Sequence, residues 1–258
     1  MSKKLEGKIA VVTGGGRGVG RAISKALAEQ GATVVVAVRT ASYGENTVAD
    51  IAASGGKATL FSGLHLSDRI SCKSLIDDTA ARHGAIDILV LCAADAPYSA
   101  LVDMSDENFD ELFKTNVYST FWLTKDAIPH LIASKAGRIV FISSTAGNGL
   151  NSPGIVSYGA SKAAVNAFAR GVAMEYARTG ITCNVVNPGL IASDRAQERM
   201  TGDQFEMISA SFPVPRPGTS EEIARAVSFL VQPESSYITG TAMVIDGGAT
   251  LGAVNFQE

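Results

Sequence analysis

Tyr158 and Lys162 stand four residues apart in the run Ser157-Tyr158-Gly159-Ala160-Ser161-Lys162, a spacing that puts both side chains on one face of a helix. A free phenol titrates near pH ~10. A cation held within a few ångström stabilises the phenolate and lowers that value, so the pair is a candidate general acid. Chance produces such pairs often, and this one gains meaning only if the chain also supplies a reaction that needs a proton donor. Upstream, the run Arg138-Ile139-Val140-Phe141-Ile142 ends in Ser143-Ser144-Thr145-Ala146-Gly147. Hydroxyls at the carboxyl end of a strand in an open α/β sheet face the ligand crevice.

A second chemistry is written near the amino terminus, in Thr13-Gly14-Gly15-Gly16-Arg17-Gly18-Val19-Gly20, followed at once by the helical run Arg21 to Ala28. Glycines at a strand-to-helix turn let backbone approach a pyrophosphate, and the helix start offers it free N–H groups and a positive dipole. The pattern G-x-G-x-x-G does not fit, because counting from Gly16 its last glycine falls on Arg21. A P-loop nearly fits from Gly15 to Gly20, but Arg21-Ala22 replaces the required Lys and Ser or Thr, which argues against NTP hydrolysis.

Elements able to position these groups follow from the alternation of short β-branched runs with longer helical patterns. Strands are expected at Lys8 to Val12, Thr33 to Val38, Ala58 to Phe61, Ile86 to Leu91, Arg138 to Ile142, Thr182 to Val186 and Ala242 to Ile245. Such alternation reads as βαβ units, and the continuous apolar runs read as strands covered by helices on both faces. The expected fold is a Rossmann-type, doubly wound, mostly parallel sheet. Leu190 to Gly218 breaks the rhythm with Pro213, Pro215 and Pro217 and reads as an insertion or a substrate lid; Thr219 and Glu222 then form a capping box that restarts a helix.

Bulk properties limit the partners. A chain of 258 residues without an abrupt composition shift reads as one domain, 1–258. Net charge −3 and a basic run no longer than Lys3-Lys4 argue against nucleic acid or a polybasic membrane patch, leaving a small molecule as the expected partner. Cys72, Cys92 and Cys183 are widely separated and suggest neither disulfides nor zinc, and His65, His83 and His130 lack partners at metal-ligand spacing. The amino-terminal run Met1 to Gly7 leads into a short strand, and no apolar run reaches the roughly 18 residues of a membrane span; a cytoplasmic protein is expected.

The glycine turn does fit T-G-x-x-x-G-x-G, and with it the chain resembles, over essentially its whole length, the short-chain dehydrogenase/reductase family in its compact, ketoacyl-reductase-like form. The resemblance implies reversible reduction of a ketone or ketoacyl carbonyl to a secondary alcohol with a nicotinamide dinucleotide, Tyr158 serving as general acid and base. Ser144 matches the family's catalytic serine, implied to hydrogen-bond the carbonyl oxygen where charge develops; Ser143 is the weaker candidate by register. Asn116, in Phe113-Lys114-Thr115-Asn116-Val117, matches a member implied to help hold a water linking Lys162 to solvent. Lys162 is implied both to lower the phenol pKa and to bind the nicotinamide ribose.

For the cofactor, Gly14, Gly16, Arg17, Gly18, Val19 and Gly20 match the phosphate turn. Asn187-Pro188-Gly189-Leu190-Ile191-Ala192-Ser193 resembles the family's Pro-Gly turn, so that Pro188, Gly189, the backbone of Ile191 and the hydroxyl of Ser193 are implied contacts to carboxamide and diphosphate. Tyr237 to Gly240 and Val244 to Gly248 resemble the closing strand. Val38 stands where NAD-preferring members carry Asp; Arg39 follows it, and Arg17 adds a second cation. NADP(H) is therefore favoured over NAD(H), with the other reading, a solvated Arg39 and either cofactor accepted, still open. A homotetramer is implied as well, with the small-residue run Ala163 to Gly171 available for close packing between subunits.

Two departures stand at the cofactor site. Leu91-Cys92-Ala93-Ala94 replaces the family's Asn-Asn-Ala-Gly, and His65, before Leu66, replaces an Asp that contacts adenine. Cys92, Ala93, His65 and Leu66 keep their cofactor-side places, but the polar bonds bracing the central strand and the adenine contact are expected to be altered. They motivate the alternative of a non-catalytic NADP-binding sensor or scaffold. For the substrate, Met200, Phe205, Met207, Ile208 and Phe212 suggest either an apolar pocket or a lid packed on the core, and Ala94, Leu150 and Ile155 are further candidates for its lining.

Overall fold

Thr33-Val34-Val35-Val36-Ala37 is β-branched or apolar on both faces, so a strand there needs cover above and below. In the computed structural model, which describes residues 3–150 and 152–252, it has that cover. Met1 and Ser2 of the amino-terminal run lie outside the described residues. The first half of the chain runs β1 (Ile9–Thr13), α1 (Gly18–Glu29), β2 (Thr33–Ala37), α2 (Ala41–Ala53), β3 (Lys57–Phe61), α3 (Arg69–His83) and β4 (Ile88–Leu91). It continues through α4 (Asp106–Phe113), α5 (Ser119–Ala133), β5 (Arg138–Ile142), α6 (Val156–Tyr176) and β6 (Thr182–Pro188). Two short helices, α7 (Asp194–Gln197) and α8 (Gly202–Ser209), precede α9 (Ser220–Leu230) and β7 (Ala242–Ile245).

The described residues form a seven-stranded sheet in the order β3-β2-β1-β4-β5-β6-β7, and every pair in it is parallel, so the expected mostly parallel sheet is wholly parallel. Side chains of successive residues leave opposite faces. Val11, Val35, Leu89 and Phe141 pack with Leu75 of α3, Leu131 of α5 and Val165 of α6. On the other face, Val12, Val36, Val90 and Val140 pack with Leu27 of α1 and Val227 of α9. The chain winds outward from β1 to β3, then returns to start β4 on the other side of β1. That reversal leaves a crevice beyond the carboxyl ends of β1 and β4, where open sheets bind ligands.

Strand positions agree with the sequence reading to within about two residues, and the differences have local causes. At β4 the ladder starts at Ile88 rather than Ile86, where Asp87 turns its carboxylate onto β1, accepting from the Ile9 N–H and from Lys8 Nζ, both at 2.9 Å. β6 runs past Val186 to Pro188 because β7 continues beside it, pairing Val244 with Asn187 and Ile245 with Pro188. The Thr219 capping box forms, its hydroxyl accepting from the Glu222 N–H at 3.2 Å while Glu222 accepts from the Thr219 N–H at 2.8 Å.

Candidate active site

Helix α6 begins directly after the loop that follows β5, so its first turns lie over the carboxyl end of that strand. Tyr158 and Lys162 come from this helix and Ser144 from the strand end, where it caps the turn Thr145–Asn148 by accepting from the Ala146 N–H at 3.1 Å. The Ser144 hydroxyl faces the Tyr158 phenol and works to lower its pKa. Ser143 faces the other way, donating to the Lys162 carbonyl at 3.1 Å, which fixes the register between strand and helix and leaves Ser144 as the hydroxyl at the phenol.

Lys162 is 4% exposed. Its Nζ donates to the Ile142 carbonyl at 2.8 Å and stands 5.7 Å from the centroid of the Tyr158 ring. The electrostatics differ from the sequence expectation of a phenol brought down by lysine. Burial pushes the Tyr158 phenol above its ordinary 10, although the Ser144 hydroxyl and the Arg195 guanidinium both pull it down. Burial also brings Lys162 from 10.5 down to about 8. Desolvation disfavours the charged form of each group, and the ammonium is directed at a backbone carbonyl rather than at the phenol oxygen.

Asn116 lies in a π-helical turn, Lys114–Tyr118, between α4 and α5. Its Oδ1 accepts from the Asp95 N–H at 2.8 Å, while Nδ2 donates to the Asp95 carbonyl at 2.8 Å and to Ser161 Oγ at 3.0 Å. Both amide hydrogens and the amide oxygen are thus engaged, tying the loop after β4 to the first turn of α6. Single π-turns of this kind are frequent at functional sites.

The glycine turn lies across the crevice. A Cβ on Gly20 would meet the Gly14 carbonyl oxygen at 2.1 Å, and one on Gly14, whose φ is +68°, would meet Ala93 at 3.1 Å. The backbone is therefore drawn close to β4, with the α1 N-terminus opening beside it. The Gly18 N–H at that terminus already donates to a carboxylate, Asp194 Oδ2 at 3.2 Å. A turn whose glycines leave no room for side chains, with a helix-end N–H that takes an anion, fits a dinucleotide's diphosphate. Val19 is half-buried against the core beneath the turn, and Ser193 stands above it, its Cβ 3.3 Å from the place a Gly18 Cβ would take. Gly189 is held to β7 by donation to the Ile245 carbonyl at 2.9 Å, and Ile191 bridges to Gly218.

The departures at β4 prove less disruptive than their side chains imply. Thr13 Oγ1 accepts from the Cys92 N–H at 3.0 Å and the Ala93 N–H at 3.2 Å, so the strand end is braced through backbone. Cys92 is half-buried and packs against the core, and burial raises its thiol to about 12, which keeps it protonated. Arg39 and His65 are exposed and Leu66 is half-buried, at the carboxyl ends of β2 and β3. Arg17 lies between Tyr43, 5.1 Å from the ring centroid, and Glu198 Oε1, which accepts from Nη1 at 2.9 Å. Among the described residues there is no cluster of potential metal ligands.

Sequence reasoning missed the part played by the segment after Ser193. Arg195 donates to the Ala94 carbonyl at 2.7 Å and pairs with the Asp95 carboxylate; Arg199 donates to the Ala96 carbonyl at 2.7 Å. The signal was present as two charge pairs at i, i+4 spacing, Asp194 with Glu198 and Arg195 with Arg199. A cavity of about 650 Å³ opens between this segment, α8 and the Pro215–Pro217 stretch, lined by Gln197, Phe205, Ser209 and Arg216. Phe205 is buried, whereas Met207 and Ile208 are exposed, so the apolar lid residues do not share one role.

A family profile described as enoyl-(acyl carrier protein) reductase matches residues 14–250. The chain is 37% identical over 244 residues to the 3-oxoacyl-(acyl-carrier-protein) reductase of Escherichia coli K12, covering 95% of this chain and 98% of that one. It is 36% identical over 259 residues to a 7alpha-hydroxysteroid dehydrogenase of Clostridium sardiniense, covering 99% and 98%. Among solved structures, a short chain dehydrogenase from Burkholderia cenocepacia J2315 in complex with NADP superposes with a TM-score of 0.89 at 32% identity, covering 96% of this chain and 99% of that one.

Proposed function

The chain belongs to the short-chain dehydrogenase/reductase family, and on that premise we propose an NADP(H)-dependent oxidoreductase that interconverts a ketone or ketoacyl group and a secondary alcohol. The observation that carries the reading is the placement of Ser144, Tyr158 and the buried Lys162 together at the carboxyl end of β5, at the mouth of a crevice whose other wall is the glycine turn. The alternative of a non-catalytic sensor or scaffold is not supported by the matches, whose curated names are those of enzymes.

Bound NADPH supplies the hydride. The chain's own residues do the rest. The Ser144 hydroxyl donates to the carbonyl oxygen as charge grows there. Tyr158 donates its phenolic proton to the same oxygen, and in the reverse direction its phenolate accepts the alcohol proton. A phenol held above 10 is in its acid form at neutral pH, which suits reduction. Lys162 stabilises the phenolate left behind and holds the nicotinamide ribose, while Asn116 fixes the loop after β4 against α6.

Gly14, Gly16, Gly18, Val19 and Gly20 form the diphosphate seat; Arg17 and Arg39 are the 2′-phosphate cations; His65 and Leu66 flank adenine. Cys92, Ala93, Pro188, Gly189, Ile191 and Ser193 line the nicotinamide side. Residues 190–218 act as a substrate lid on a single domain. The reading extends to a cytoplasmic homotetramer: no described helix is long and apolar enough to cross a membrane, and α5 and α6 carry Phe121 and Met174 at 47% and 85% exposure, beside exposed Ala160, Ala163 and Ala167.

The test is Tyr158→Phe assayed with NADPH and a panel of ketones and ketoacyl thioesters. Removing the general acid is expected to abolish turnover while NADPH still binds, an effect of at least about 10²-fold for acid–base catalysis. Full activity in the Phe variant would sink the assignment.

A further inference from the structure

The segment Asp194-Arg195-Ala196-Gln197-Glu198-Arg199 crosses the crevice with a different charge on each lip. Its i, i+4 acids, Asp194 and Glu198, lie on the glycine turn, where Gly18 N–H and Arg17 Nη1 donate to them at 3.2 and 2.9 Å. Its i, i+4 bases lie on the loop after β4, at the carbonyls of Ala94 and Ala96, both 2.7 Å away. Residues four apart share a helical face, so one short segment presents acid to one lip and base to the other.

The donors that these acids take are those a dinucleotide phosphate needs. Gly18 begins α1, and the first N–H groups of a helix have no partner inside it and lie at the positive end of its dipole. Arg17, the residue before it, is held between Glu198 and the Tyr43 ring, beside the Arg39 end of β2. We propose that Glu198 is a cofactor-specificity residue of this chain: with Asp194 it forms an anionic latch whose two carboxylates stand in for the cofactor's 2′-phosphate and diphosphate and must be displaced as NADP(H) binds. The proposal rests on the NADP(H) reading above.

Two consequences separate the acids. NAD(H) carries the diphosphate but lacks the 2′-phosphate, so Asp194 opposes both cofactors and Glu198 opposes the phosphorylated one alone. The Arg17–Glu198 pair is half in solvent, at 33% and 56% side-chain exposure, and pairs so exposed shift an equilibrium by about two- to fivefold.

The experiment is direct calorimetric titration of the full chain with NADPH and with NADH, without substrate, for the wild type, Glu198→Gln, Asp194→Asn, Arg17→Gln and the Arg17→Gln/Glu198→Gln double variant. Glu198→Gln is expected to tighten NADPH about two- to fivefold and leave NADH unchanged, Asp194→Asn to tighten both about equally, and the Glu198 effect to vanish when Arg17 is Gln. An unchanged or lowered NADPH/NADH affinity ratio in Glu198→Gln overturns the proposal, as does a gain that persists without Arg17. The wild-type titrations judge the underlying reading separately. Preference for NADPH with an inert Glu198→Gln removes the latch alone, whereas preference for NADH, or binding of neither, removes the cofactor assignment and the latch with it.

Discussion

Replacing Lys162 by Met should change how stability depends on pH. In the folded chain the ammonium is almost fully buried and titrates at about 8, against 10.5 for a free lysine. Between those values the unfolded chain holds a proton that the folded chain has released, so unfolding binds protons and stability rises with pH. The slope approaches about 1.4 kcal/mol per pH unit, and from pH 7 to pH 10 the gain is about 2.5 kcal/mol. Other groups oppose it. Burial raises Cys72 and Cys92 to about 12, and raises the Cys183 thiol and the Tyr158 phenol too, so their protons favour the folded state and stability falls once their unfolded pKa values are passed. Those losses occur in both proteins and largely cancel in the difference. The assay is urea unfolding of the wild type and Lys162→Met at pH 7, 8, 9 and 10. The wild type is expected to gain on the variant by about 2.5 kcal/mol over that span. The offset at pH 7 is less informative, because Met also removes the 2.8 Å bond to the Ile142 carbonyl. A difference that stays flat would refute the reasoning and place water around the ammonium.

Arg39→Asp should turn cofactor preference toward NADH, because a charge-assisted bond to the 2′-phosphate is replaced by repulsion; a shift of at least about tenfold in the NADPH/NADH ratio of kcat/KM is expected, and an unchanged ratio refutes the role. Gly20→Ala should abolish cofactor binding and cost about 1–3 kcal/mol of stability, since its Cβ would stand 2.1 Å from a backbone oxygen of Gly14. Calorimetric titration and thermal unfolding measure the two effects, and wild-type NADPH affinity in that variant would show that the turn is not the seat.

What could be read in the sequence was what periodicity and spacing record. Continuous apolar runs such as Val34-Val35-Val36 located the strands, and Tyr158 and Lys162 share a helix because four residues make one turn. Ser144 came from the family resemblance, with Ser143 the weaker candidate by register, and in the structure Ser143 is bound instead to the Lys162 carbonyl at 3.1 Å. The sign of the phenol's pKa shift could not be read, because it depends on burial and on where Nζ points, both set by residues distant in sequence. The π-turn at Asn116 was equally hidden: it sits where the Asn116 side chain reaches Asp95 and Ser161 across 21 and 45 residues.

The unusual strand-four sequence and the charged segment Asp194 to Arg199 are best understood together. Leu91, Cys92 and Ala93 offer no polar side chain to hold the loop that follows, and Thr13 secures only the first two N–H groups beyond the strand. The next carbonyls, at Ala94 and Ala96, are taken by Arg195 and Arg199. Asn116 holds the intervening Asp95 backbone at both its N–H and its carbonyl. The loop is thus braced from three separate parts of the chain, one of them the segment after Ser193. The 194–199 segment, the loop after β4 and the first turn of α6 are therefore tied together through backbone, in a way that a strand end braced by its own side chains would not require.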